Sequence, residues 1–99
     1  MVHQDQGNYE EAVVKYNQSL KLKEELGNKS GIARTLHQLG MVHAVKKEYP
    51  FALQAYLRAY SIFTELHSPH SQLTEKEISE LRNELGDQEF NALSDKLKE

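Results

Sequence analysis

The chain repeats itself. Shifted by forty residues, Met1-Val2-His3 falls on Met41-Val42-His43, Tyr9 on Tyr49, Ala12 on Ala52, Tyr16 on Tyr56 and Glu25-Leu26 on Glu65-Leu66. Conservative pairs fill the intervals: Val13 with Leu53, Ser19 with Ala59, Leu22 with Ile62. A self-match at a fixed period of this size is the mark of a stacked repeat array, in which no unit can bury its apolar face alone and each must lie against a neighbour. The 99 residues read as one small domain of a few such units. Its core is thin, since folding at this length hides only somewhat more than ~60% of the unfolded chain's surface.

The units are helical. Ala, Leu, Glu, Lys and Gln are abundant, and proline occurs only at 50 and 69, both at expected element boundaries. Gly7-Asn8-Tyr9-Glu10-Glu11 reads as a helix start, with Asn8 accepting from the first free N–H groups and Glu11 reaching back. Ala12, Val13, Tyr16, Leu20 and Leu26 then form an apolar stripe, leaving Lys15, Lys21, Lys23 and Glu24 for the other side. Gly27 supplies the left-handed residue that ends the helix. A second helix is expected from Ser30 to Val45, with Ile32, Leu36, Leu39, Val42 and His43 inward beside Gly40. A glycine inside a helix costs roughly 1 kcal/mol against alanine, so Gly40 marks a close neighbour.

After the short turn Lys46-Lys47-Glu48, a third helix starts near Tyr49 with Pro50 in its first turn. Ala52, Tyr56, Ala59, Tyr60, Phe63 and Leu66 form its stripe, and small residues at 52, 55 and 59 leave room for the second helix. His67-Ser68-Pro69-His70-Ser71 reads as a loop, and Thr74 with Glu77 as a capping box opening a helix that carries Ile78, Leu81 and Leu85. Leu85-Gly86-Asp87 breaks that helix, and a last one carries Phe90, Leu93 and Leu97 on one face. Residues 74–99 hold eight acids and four bases, the polar outer face that a terminal unit needs. The fold class is all-α: stacked antiparallel helix hairpins closed by a C-terminal helix pair.

The set Leu36, Leu39-Gly40, His43, Ala52, Tyr56 and Ala59 resembles the tetratricopeptide repeat, with Ala12, Tyr16 and Ser19 resembling the second helix of a preceding unit. His43 stands where that family usually has tyrosine, and Thr64 where it often has proline, so the third helix is expected to run on toward Leu66. The third unit has Ser79-Glu80 in place of Leu-Gly. The forty-residue period, with Glu25-Leu26-Gly27-Asn28 and Gly31-Ile32-Ala33 between units, is similar to the longer repeats of kinesin light chains and prokaryotic signalling arrays. The resemblance implies an α-solenoid fragment forming a single domain over residues 1–99, with a truncated repeat (1–28), a complete repeat (29–68) and a degenerate capping repeat (69–99).

It also implies a protein–protein interaction module whose concave groove binds a peptide or helix of a partner and scaffolds a complex. Carried over by position, the groove residues are Arg34, His37, Met41, Ala44 and Val45, with Gln4 and Asp5 from the truncated repeat. Arg34 suits an acidic group, His37 a hydrogen bond and Met41 an adaptable apolar contact. Family members that clamp a terminal carboxylate use Lys and Asn at two positions where this chain has His37 and Met41, so that clamp is not expected. Met1 aligns with Met41, two-thirds along a first helix, which would leave Val13, Tyr16 and Leu20 short of cover. A structural role in self-association, as a homodimer through that end, is therefore the alternative; a regulatory C-terminal part of a larger signalling protein is another.

Several classes are set aside. The net charge of −3 and pI near 5.9 do not make a nucleic-acid footprint, and Lys46-Lys47 with Lys21 and Lys23 are too few. With no cysteine there is no disulfide, thiol catalyst or Cys-based zinc site. No apolar run reaches the ~18 residues of a membrane span, and no signal-peptide pattern opens the chain, so a cytoplasmic location is expected. His67 and His70 lie three apart, and His37 and His43 six apart on different helix faces, which gives no convergent metal ligands. Serine context, the absence of a glycine-rich phosphate loop, and the solvated look of Glu10-Glu11 and Glu24-Glu25 give no catalytic residue and no cofactor.

Overall fold

The computed structural model describes residues 6–98, which form α1 (Gln6–Leu26), α2 (Lys29–Val45), α3 (Tyr49–Glu65), α4 (His70–Leu85) and α5 (Asp87–Lys98). No strand occurs among the described residues. Each helix packs on the next, and α5 also reaches back to α3.

The first three helices end in the same way. Gly27, Lys47 and His67 each take a left-handed backbone, at φ 71°, 63° and 56°. At each end the left-handed residue and its successor return N–H groups to carbonyls of the last turn, as in Glu48 N–H to His43 at 2.8 Å and Ser68 N–H to Phe63 at 2.9 Å. That double closure satisfies carbonyls the helix leaves open. The three positions stand twenty residues apart, so the forty-residue period is two helix-and-turn units of equal length. Only Gly27 adopts this backbone without a Cβ penalty. Lys47→Gly should stabilise the fold by about 1 kcal/mol, a rise of about 4–8 °C in melting temperature by calorimetry. An unchanged or lower melting temperature would contradict this account of the turn.

The core has two parts joined through α3. Ala33 and Leu36 of α2 meet Ala59 and Phe63 of α3, with Leu20 of α1 closing one side. Ala52, Leu53 and Tyr56 of α3 meet Leu81 of α4, and Phe90, Leu93 and Leu97 of α5 lie over them. The small residues Ala52, Ala55 and Ala59 are buried, as their spacing predicts. So is Gly40, where an added Cβ would stand 2.6 Å from the Tyr56 ring. Helix α3 stops at Glu65 with Leu66 as its cap, in line with the run-on expected from Thr64. Exposed ion pairs such as Lys29–Glu65 at 3.0 Å and Arg58–Glu24 at 3.7 Å tie the layers in register, each worth at most about 1 kcal/mol.

Four local expectations are corrected. Helix α1 is already helical at Gln6, so Asn8 and Glu11 lie inside it rather than at its start. Lys23 is half-buried rather than solvated: its aliphatic stem lies along α2 and its Nζ donates to the buried Thr35 hydroxyl at 3.0 Å. Leu26, assigned to the apolar stripe, is 79% exposed at the last position of α1. The loop at 67–71 is shorter, since α4 starts at His70 behind Pro69; Thr74 therefore sits one turn inside α4 and is fully buried. Asn28, read only as part of a helix end, also starts the next one: its Oδ1 accepts from Gly31 N–H at 3.0 Å.

Candidate partner-binding groove

Helix α2 has two faces. Ala33, Leu36, Leu39 and Gly40 are buried, while Arg34, Met41 and Val45 are exposed, with His37 and Ala44 partly covered. The second set recurs every three or four residues and so forms one stripe. Helix α4 lies beside that stripe. His37 Nδ1 stands 2.9 Å from the Thr74 hydroxyl, which donates its own proton to the His70 carbonyl at 3.2 Å. A hydroxyl has a single proton, so the histidine must be the donor and Nδ1 carries the hydrogen. The His37 ring also meets the Tyr56 ring in a T-shaped contact, with centroids 5.7 Å apart. Burial is the main effect on His37 and lowers its pKa below the usual 6.5; His70 lowers it further and Glu77 opposes both.

A group whose folded pKa is depressed in this way keeps fewer protons than the unfolded chain, so stability falls as pH drops through the ordinary histidine range. The melting temperature should therefore decline between roughly pH 7.5 and 5.5. His37→Asn, which keeps a donor near Thr74 but cannot titrate, should decline less over the same range. Equal slopes for the two proteins would remove His37 as the cause.

The groove between α2 and α4 opens at both ends. At one end Arg34, His37 and Gln38 face His70 and Leu73 over Phe63, around about 180 Å³ of space with a mainly apolar wall. The His70 ring lies on Phe63 at 5.4 Å, and Leu73 is 55% exposed. At the other end a cleft of about 310 Å³ lies between Ala44, Val45 and Lys47 on one side and Glu77, Glu80 and Glu84 on the other. Tyr49 and Tyr56 also line it, and the Tyr49 hydroxyl donates to Glu84 at 2.9 Å.

Of the residues expected in the groove, Arg34 and His37 come together at the first end, and Ala44 and Val45 at the second. Met41 is exposed on the same helix but lines neither opening. Gln4 and Asp5 lie outside the described residues. The α4 wall was not anticipated. Glu77, Glu80 and Glu84 fall at i, i+3 and i+7, a spacing that puts three carboxylates on one helix face. Of the packing signature, Leu36, Leu39, Gly40, Ala52, Tyr56 and Ala59 are buried and Ala12, Tyr16, Ser19 and His43 half-buried. His43 turns away from the groove toward Glu48 at 2.7 Å and the Phe51 ring at 5.5 Å.

Among the described residues no three His, Asp or Glu side chains are placed to hold a metal ion. No described helix is long and apolar enough to cross a membrane. Compared with known families, residues 1–65 match the family model described as Tetratricopeptide repeat. No match was found among curated proteins or among solved structures.

Proposed function

Because the chain belongs to the tetratricopeptide repeat family, whose members generally mediate protein–protein interactions, we propose that it holds a peptide or partner helix in the groove between α2 and α4 and so scaffolds a complex. The observation that carries this reading is the α2 stripe. Arg34, Met41 and Val45 lie exposed on a helix whose opposite face is fully engaged, and a second helix walls the stripe in. An extended chain laid there meets Arg34 and an apolar recess at one end and a carboxylate-lined cleft at the other. The test is capture of a partner by the native chain and by Arg34→Glu/Met41→Glu, with helicity checked by circular dichroism. Loss of the partner from the double variant supports the groove; undiminished capture sinks it.

A second reading is supported by α1, where Val14, Leu22 and Leu26 are 54%, 60% and 79% exposed at spacings of eight and four residues. Such a face suits stacking on another helix pair, and the role would then be self-association. Sedimentation velocity separates the two. Mass that rises with concentration and reverts in Leu22→Glu/Leu26→Glu supports self-association; a monomer throughout rejects it.

A further inference from the structure

Within the proposed groove, and resting on that reading, the geometry points to a cation site. The cleft at its second end takes the guanidinium or ammonium group of a basic residue on the partner polypeptide. Glu77, Glu80 and Glu84 line it, and Lys47 is the one cation that does, a surplus of two negative charges by three minus one. Lys47 forms no ion pair with a described residue, and neither do Glu77 or Glu80. Of the three, Glu84 alone accepts a side-chain hydrogen bond from a described residue, the Tyr49 hydroxyl at 2.9 Å.

The independent sign of a ligand is Tyr56. Its side chain is 2% exposed, yet no described residue hydrogen-bonds its hydroxyl. No fully enclosed side-chain polar atom lacks a partner among the described residues, so the hydroxyl owes its residual accessibility to the cleft it lines. Burial, then the charges of Glu77 and Glu80, raise its pKa, which keeps it a neutral phenol beside those carboxylates. A phenol so placed offers its oxygen to an incoming N–H and its proton to a carboxylate. Carboxylates with tyrosine rings are the chemistry that recognises a desolvated cation.

The two ends of the groove also set a spacing. The residues lining them are centred about eight positions apart on α2 and about nine on α4. At 1.5 Å per residue this is about 13 Å, or four residues of extended peptide. The favoured segment carries a basic residue four positions from an apolar one.

The probe is the acetylated, amidated pentapeptide Leu-Gly-Ser-Gly-Arg, compared with Leu-Gly-Ser-Gly-Gln by NMR titration of the full chain. The arginine peptide should bind saturably, about tenfold tighter, with shifts at Tyr56 and Glu80. Glu77→Gln/Glu80→Gln should abolish the difference, and Tyr56→Phe, which keeps the packing, should reduce it. Glu24→Gln/Glu25→Gln, an equal change in net charge on α1, should leave it intact. Equal affinities for the two peptides, or equal losses from the two acid pairs, would overturn the cation site. If a captured partner still depends on Arg34 and Met41 in that event, the groove stands and only its charge reading falls. If the arginine peptide binds as described while capture ignores Arg34 and Met41, the cation site stands and the wider groove falls.

Discussion

Tyr56→Ala is expected to remove a large fraction of the protein's stability. The side chain is the largest that is fully buried, and it stands where three helices meet. It leaves α3, packs with Leu53 and Leu81, lies against Gly40 of α2 and meets the His37 ring. Truncating a buried aromatic to alanine costs about 3–5 kcal/mol, the lost transfer energy plus the cavity left behind. A domain of this size has about 5–15 kcal/mol in total, so the loss is a large fraction of its stability. The loss should be larger than for Tyr60→Ala, since Tyr60 is only half-buried. Chemical denaturation of both variants would decide. Similar midpoints for the two would mean that Tyr56 does not hold the joint.

Gly40→Ala tests the same contact from the other side. On an isolated helix the change would stabilise by roughly 1 kcal/mol. Here the new Cβ would meet Cδ1 and Cε1 of Tyr56 at 2.6 Å, ring atoms packed in the cluster with Leu53 and Leu81. Overpacking of this kind costs about 1–3 kcal/mol, which outweighs the propensity gain. The sign should reverse when the ring is gone: in a Tyr56→Ala background, Gly40→Ala should be neutral or stabilising. Residues in contact couple in this non-additive way, and a double-mutant cycle measures it. Additive effects would show that Gly40 is present for some reason other than the ring.

The parts of the fold that were legible in the sequence are those set by short-range pattern. The forty-residue self-match placed α2 and α3, Gly40 announced a close neighbour, and Ala52, Ala55 and Ala59 announced where α2 would lie. Errors arose where a local signal competed with packing. Thr74 and Glu77 have the spacing of a capping box, but α4 starts at His70, where Pro69 ends the turn and the missing proline N–H costs nothing. Thr74 is thereby carried into the interior, and its hydroxyl is needed by a histidine thirty-seven positions away. Lys23 was read as solvated on charge alone, although a lysine stem can run along a helix to reach a buried acceptor such as Thr35.

The groove was half legible for a related reason. Arg34, His37, Ala44 and Val45 were carried over by position from the family resemblance, and they line the two openings. The carboxylates opposite them sit in the unit with Ser79-Glu80 in place of Leu-Gly, where the pattern no longer identifies the wall of a groove. Their helical spacing alone put them on one face. Which face, and against what, was decided by the contact between α2 and α4.

The equal spacing of Gly27, Lys47 and His67 makes the joints between helices interchangeable parts. A segment that begins just after one left-handed residue and ends at another starts and finishes with the same left-handed φ, so a helix pair can be duplicated or removed in multiples of forty without disturbing the ends it joins. Gly86 breaks the series: it comes nineteen positions after His67, with ψ near 153° where the others close a helix turn. The rhythm stops there, and α5 folds back onto α3 as well as α4. A chain built this way lengthens by copying the stretch ahead of Gly86, which keeps the beat that Gly86 breaks.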